Sequence, residues 1–247
     1  MNEQFSRTAL LLGEEAVERF QNAHVAVFGL GGVGGYVVEA LARAGIGSLD
    51  LIDRDDISLS NLNRQILATH ATVGMPKVEA ARRRVLDINP DCRVRTFPVF
   101  YLPETADTFD FTRYDYIVDA IDTVTAKLAL VERAHAVETP IICCMGTGNK
   151  LDASAFEVSD ISKTSMCPLA RVMRKELGKR GIRHLKVVYS KEEALKPTGW
   201  EEEAAAIGKR QIPGSVPFVP GAAGLILAGQ VLKDLANIGA SQCSRGG

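Results

Sequence analysis

The sequence predicts an α/β protein with a Rossmann-like, doubly wound, mostly parallel sheet and an irregular C-terminal substrate-binding half. Three observations carry that expectation. Short β-rich runs alternate with helical ones through the first half, the pattern of βαβ units. A glycine-rich turn joins the first strand to the helix after it. Acids close two of the strands, at the sheet edge where open α/β folds bind ligands.

In chain order, "HVAVFGL" reads as a buried strand, "GGYVVEALARAG" as a helix closed by Gly45, and "SLDLID" as the second strand. "PKVEAARRRVLDIN" is a helix with Pro76 in its first turn, where a missing N–H costs nothing. "RVRTFPV" and "YDYIVDAID" give the third and fourth strands, "TAKLALVERAHAVE" a helix and "PIICCMG" the fifth strand, completing a nucleotide-binding half over residues 1–148. In residues 149–247, the substrate and dimer half, "CPLARVMRKELGKRG" is a basic amphipathic helix and "HLKVVYS" a strand. A Gly- and Pro-rich, loop-rich segment covers about residues 190–220, the small-residue helix "AAGLILAGQVLKDLA" packs back on the sheet, and the tail "NIGASQCSRGG" frays. No repeat and no clean linker divides the chain, so residues 1–247 are read as one domain.

Composition narrows the function. With 46% hydrophobic and 24% charged residues the 247-residue chain has the makeup of a folded globular protein. A net charge of −1 gives no overall attraction to nucleic acid, so any such partner needs a local patch. No apolar run reaches the ~20 residues that span a bilayer, and the first residues lack a signal peptide's basic start and cleavage site. The expectation is a cytoplasmic protein with no membrane partner. The five cysteines form no C-x-x-C pair, which fits reduced thiols and predicts no structural zinc.

"GLGGVG", Gly29 to Gly34, has the strand-before, helix-after context of a phosphate-binding turn. Gly29 and Gly31, with Gly32 between turn and helix, let the backbone approach a phosphate. Gly34 lets the helix pack closely, and the helix N-terminus favours the anion. Asp53, ending the second strand, is placed to accept hydrogen bonds from ribose hydroxyls. Such a turn serves a nicotinamide dinucleotide as well as a nucleoside triphosphate.

The residues after Asp53 bear on that choice. Arg64 is a cation for a polyphosphate, with Asn61 and Gln65 as neutral donors, although "NLNRQ" alone reads equally well as a solvated loop. Lys77 lies in the first turn of a helix, where the dipole disfavours a cation by a few tenths to about 1 kcal/mol. It is either a snorkelling surface lysine or a phosphate ligand. Asp122, in "DAIDT" at a strand's carboxyl end, is the candidate Mg²⁺ ligand beside a triphosphate, whereas Asp119 serves to cap the following helix.

Together "GLGGVG", "DRDDISLSNLNRQ", "VGMPKVEAARRRVLDINP" and "DAIDT", spread over about residues 7–148, resemble the ubiquitin-activating-enzyme-like adenylyltransferases, which include the molybdopterin- and thiamine-biosynthesis activating enzymes. The resemblance implies a homodimer that adenylates a carboxylate with ATP and Mg²⁺. Asp53 would hold the ribose, Asn61, Arg64 and Lys77 the phosphates, and Asp122 the metal. Arg7, in "FSRTALLLG", matches the family's N-terminal arginine, which reaches across the dimer into the partner's ATP site.

The carboxylate acceptor must be read from the second half. The zinc cysteines usual in the molybdopterin and thiamine branch are missing, and Cys167 is the nearest thiol for a sulfur-carrier protein's C-terminus. "DISKTSMCPLARVMRKELGKRGI" and "PGSVPFVPGAAGLILAG" look instead like the tRNA threonylcarbamoyladenosine dehydratase branch, which implies tRNA carrying threonylcarbamoyladenosine as partner. Adenylation of its carboxylate would be followed by ring closure with release of AMP. From Lys163 to Lys191 the chain carries nine Lys or Arg residues and one acid, Glu176. Lys163, Arg171, Arg174, Lys175, Lys179, Arg180 and Arg183 are the candidates for tRNA phosphates, and Tyr189, Trp200 and Phe218 for base stacking. Alternatives are adenylation of a ubiquitin-like sulfur carrier's C-terminus, a nicotinamide-dependent oxidoreductase, and a nucleotide sensor without catalysis.

Overall fold

The structure, a computed structural model, describes residues 3–102, 104–198 and 213–238; Trp200, Cys243 and the centre of the Gly- and Pro-rich segment lie outside them. A seven-stranded sheet runs in the order β3-β2-β1-β4-β5-β7-β6. Its strands are β1 (His24–Phe28), β2 (Ser48–Ile52), β3 (Arg93–Phe97), β4 (Tyr116–Asp119), β5 (Ile141–Cys144), β6 (Phe156–Asp160) and β7 (Lys186–Ser190). All neighbouring pairs are parallel except β6 with β7. The central strands β2 and β4 are buried at every residue, as continuous apolar runs in a parallel sheet covered on both faces should be. Strand β6 escaped the sequence reading because its five residues, two of them acids, are only partly buried at an edge.

Helices α3 (Gly34–Ala44), α4 (Lys77–Ile88), α5 (Val124–Ala136) and α6 (Pro168–Lys179) connect the strands. Gly45 closes α3 in the left-handed conformation, φ 92°, as expected. Pro76 caps α4 from just outside rather than occupying its first turn. Two helices, α1 (Ser6–Leu12) and α2 (Glu14–Asn22), precede β1. Gly13, at φ 89°, separates them and donates its N–H to Ala9 O.

The last described helix, α7 (Phe218–Leu235), is apolar and long enough by length and composition to cross a membrane. Its composition has another cause. Val219, Ala223, Leu227, Ala228 and Val231 are almost fully buried in the main core, packed with Val37, Val38 and Leu41 of α3. Gly224 sits so close to Val33 O that a Cβ there would lie 2.4 Å from it, so the small residues of α7 serve a tight helix pairing.

At the amino ends of the strands, Asp50 is fully buried and accepts hydrogen bonds from Arg95 Nε (2.8 Å) and Nη2 (2.6 Å) and from Tyr114 OH (2.9 Å), with His24 Nε2 at 3.0 Å. Burial raises its pKa, but the hydrogen bonds outweigh that and hold it below the usual carboxylate range.

Candidate active site

The sheet order reverses between β1 and β4, the place where doubly wound sheets open a crevice for ligands. The glycine turn leaves β1 there and the Asp122 turn leaves β4. The two are pressed together: Gly29 has φ 89°, and a Cβ on it would lie 2.7 Å from Ala120 O. A Cβ on Gly34 would lie 1.8 Å from Gly29 O, so space requires glycine at both places, and at Gly29 the backbone conformation does so as well. At Gly31 a Cβ would meet only Gln65 Nε2, 3.9 Å away, while Gly32 lies against Pro220 of α7. The N-cap of α3 is Val33, with no side-chain acceptor for the first-turn amides. Those donors suit an anion.

Asp53 stands beside this turn, its Oδ2 accepting from Leu30 N–H (2.7 Å) and its Oδ1 from Asp55 N–H (2.8 Å). A carboxylate has about four lone-pair sites, so two such bonds fix its direction and leave capacity for ribose hydroxyls. Lys77 is buried rather than at the surface; its Nζ donates to Asp55 Oδ2 at 2.7 Å and lies 3.7 Å from Asp53 Oδ1. Lys77 is thus held by acids inside the fold and does not snorkel at the surface. To bind a phosphate it must exchange Asp55, which is half-exposed, for the ligand.

Asn61, buried, spends its Oδ1 on Ser58 N–H in a capping box, which points to the amide N–H groups for a ligand. Arg64 is half-buried and donates through Nη1 to Ser60 O (3.0 Å) and Asn63 Oδ1 (2.8 Å). Gln65 is buried, and its Oε1 has no hydrogen-bond partner among the described residues. An orphaned acceptor beside Gly31 is what a polar ligand or its water would satisfy. Asp122 is exposed, and among the described residues its carboxylate accepts one hydrogen bond, from the Thr123 hydroxyl at 3.3 Å.

These residues fit a nucleoside triphosphate: a ribose acid, backbone and side-chain donors, two cations and one solvent-facing carboxylate. The fit to Mg²⁺ rests on Asp122 together with phosphate oxygens and waters, since Mg²⁺ commonly takes one or two carboxylates and keeps water. No group of three or more His, Cys, Asp or Glu suited to a metal occurs among the described residues. A separate cavity of about 670 Å³, lined by His135, Asp160, His184 and Lys186 among others, opens at the amino ends of the strands, away from this crevice.

Arg7 is exposed on α1. Phe5, just before it, packs on Gly45 at the carboxyl end of α3, and an eleven-residue helix is about 16 Å long. The arginine therefore stands at the far end of α3 from its own glycine turn.

In the second half, Arg174 is occupied inside the fold, its Nη1 donating to Ile161 O (3.1 Å), Thr164 O (3.0 Å) and Thr164 Oγ1 (2.6 Å). Lys179 pairs with Glu176, and Arg180 with Glu132 and Glu176. Lys163, Arg171, Lys175 and Arg183 are exposed and carry no ion pair among the described residues. Of the stacking candidates, Tyr189 is core, its OH bonded to Glu157, while Phe218 is exposed. Cys167 is buried.

The sequence matches the ThiF family over residues 5–245. The chain belongs to that family. Among ThiF-family relatives, the tRNA threonylcarbamoyladenosine dehydratase of Bacillus subtilis is 42% identical over 243 residues, 95% of each chain. The crystal structure of Escherichia coli tRNA N6-threonylcarbamoyladenosine dehydratase in complex with ATP superposes with a TM-score of 0.85 at 33% identity, covering 99% of this chain and 97% of that one. The adenylyltransferase and sulfurtransferase UBA4 of Vanderwaltozyma polyspora is 36% identical, but over only 56% of this chain and 31% of its own. The likeness to dehydratases thus covers nearly the whole chain, the likeness to this sulfurtransferase little more than half of it.

Sequence reasoning missed one residue buried beneath the Asp122 turn. Lys127, on α5, is completely buried and donates to Asp119 Oδ2 at 2.9 Å and to Cys144 O at 2.7 Å. Burial works against its charge, but the Asp119 carboxylate outweighs that and its pKa is raised. Asp119, expected to cap the following helix, does not: Thr123 is the N-cap of α5, with no side-chain cap, and Asp119 instead accepts from Ile121 N–H (3.1 Å) in the turn and pairs with this lysine. The helical pattern of "TAKLALVERAHAVE" marks a buried face, yet nothing in it reports an acid waiting underneath.

Proposed function

We propose that the protein catalyses ATP-dependent cyclodehydration of threonylcarbamoyladenosine in tRNA. The observation that carries this reading is the likeness to dehydratases over both halves, joined to a triphosphate-suited crevice at the β1/β4 switch. The crevice holds the ribose through Asp53 and the phosphates through the α3 amides, Asn61, Arg64, Gln65 and Lys77. The substrate carboxylate attacks the α-phosphorus and pyrophosphate leaves. Arg64 and Lys77 meet the charge that develops on the departing oxygens, fixed in place before the reaction begins. Mg²⁺, held by Asp122 and phosphate oxygens, would supply further neutralisation of the polyphosphate.

The acyl-adenylate is then attacked at its carbonyl carbon by a nucleophilic atom of the same threonylcarbamoyl group, the C–O bond to AMP breaks, and the carboxylate oxygen leaves on AMP. Water is removed without appearing as free water. Proximity within the bound group accelerates this step, and no protein nucleophile is required, which agrees with the burial of Cys167.

The enzyme works as a homodimer in which Arg7 completes the partner's site; its place at the far end of α3 supports that reading, because it stands away from its own crevice. Lys163, Arg171, Lys175 and Arg183 meet tRNA phosphates. The protein acts in the cytoplasm, where tRNA and ATP are present. AMP release measured with tRNA bearing or lacking the threonylcarbamoyl group tests the substrate: release confined to the modified tRNA is expected, and equal release with both would refute it.

A further inference from the structure

Asp122 has almost no scaffold of its own. Its carboxylate is exposed and meets one hydroxyl at 3.3 Å, so its direction is inherited from the backbone of residues 120–122. That backbone is anchored from below. Ala120 N–H donates to Phe28 O (2.8 Å), and Ile121 N–H donates to Asp119 Oδ1. The other oxygen of Asp119 receives Lys127 Nζ, which also holds Cys144 O. Since Asp119 lies opposite Cys143 in register, the ammonium group ties together the carboxyl ends of β4 and β5 directly beneath the turn.

We infer that Lys127 is a positioning residue for Asp122: it clamps Asp119 and Cys144 O, setting the turn so that the Asp122 carboxylate faces the polyphosphate and its metal. The inference rests on the reading of Asp122 as the metal-holding acid. A lysine in the first turn of a helix is disfavoured by the dipole, and a buried ion pair is weak evidence for stability, since well-packed apolar groups often serve as well. What an apolar pair cannot do is hold Ile121 N–H and Cys144 O at one fixed spacing. Outer partners of metal-holding groups typically change metal affinity by about 10–100-fold when lost.

The test uses the full chain and a non-hydrolysable ATP analogue, titrated calorimetrically with Mn²⁺ and with chelator, together with hydrogen exchange at the Ile121 amide. For Lys127→Met the expected result is loss of about tenfold of the metal-dependent gain in analogue affinity, metal-free affinity within about twofold of wild type, and faster exchange at Ile121. Lys127→Arg should restore much of the gain. If Lys127→Met fails to fold, the double variant Asp119→Asn/Lys127→Met, which leaves no buried charge unpaired, should show the same loss. A lowered melting temperature with the metal-dependent gain intact would overturn the inference. Asp122→Asn separates the two ideas: loss of the gain in Asp122→Asn but not in either lysine variant overturns this inference alone. Retention in Asp122→Asn removes the metal role, and the inference with it.

Discussion

The two halves of the chain hold their functional charges differently. In the nucleotide half three candidate charges sit at turns that the sheet fixes: Asp53 at the end of β2, Asp122 just beyond β4, and Lys77 at the start of α4, paired with Asp55. In the second half the charges lie along a helix, and acids from elsewhere in the fold reach some of them. Glu132 of α5 takes Arg180, and Thr164 with Ile161 takes Arg174. A motif tied to a strand end specifies both residue and place, whereas a count of basic residues specifies only composition.

The sharpest break in this contrast should come from Asp122→Ala. Loss of the carboxylate that would hold the charge-neutralising metal is expected to lower ATP–pyrophosphate exchange by about 10²–10³-fold, with the melting curve unchanged because Asp122 supports little else among the described residues. Exchange close to wild type would remove it from the mechanism.

Arg7 tests whether the nucleotide half is complete in one chain. Arg7→Ala and Asp122→Ala, each nearly inactive alone, should recover activity when mixed and allowed to exchange subunits, since one site of each hybrid then has both residues intact. No recovery in confirmed hybrids would place Arg7 outside the partner's site.

In the second half, exposed and internally paired cations should differ. Lys175→Ala should reduce the salt dependence of tRNA binding by about one unit of log–log slope and weaken binding for all sequences alike. Lys179→Ala, already neutralised by Glu176, should change the slope less. Equal effects would mean that the internal pairs open on binding.

A smaller effect separates stability from function. Asp50 has its folded pKa depressed below its ordinary value of 3.8, so it contributes stability that is present above that value and is lost as pH falls through the folded pKa. Urea unfolding of wild type and Asp50→Asn should therefore differ most at neutral pH and converge in acid. A gap that widened on acidification would contradict the assignment.

The parallel sheet and its crevice were legible because continuous apolar runs, a glycine turn and strand-end acids are local signals. Of the residues after the second strand, Lys77 comes within 3.7 Å of Asp53, a proximity that only the fold shows. Strand β6 was not legible, being five half-buried residues that become a strand only by pairing with β7. Nor was Lys127, whose meaning depends on Asp119 and Cys144 across two strands. Gln65 was read as a donor, and only burial reveals that its oxygen is the orphan. The C-terminal tail after residue 238 and the segment around Trp200 remain sequence expectations, outside the described residues.

The most direct measurement is mass spectrometry of nucleosides from tRNA carrying threonylcarbamoyladenosine, incubated with the protein, ATP and Mg²⁺. The account predicts that the modified nucleoside loses the mass of one water, with one AMP formed for each ring closed. An unchanged nucleoside mass under conditions where ATP is bound would contradict it.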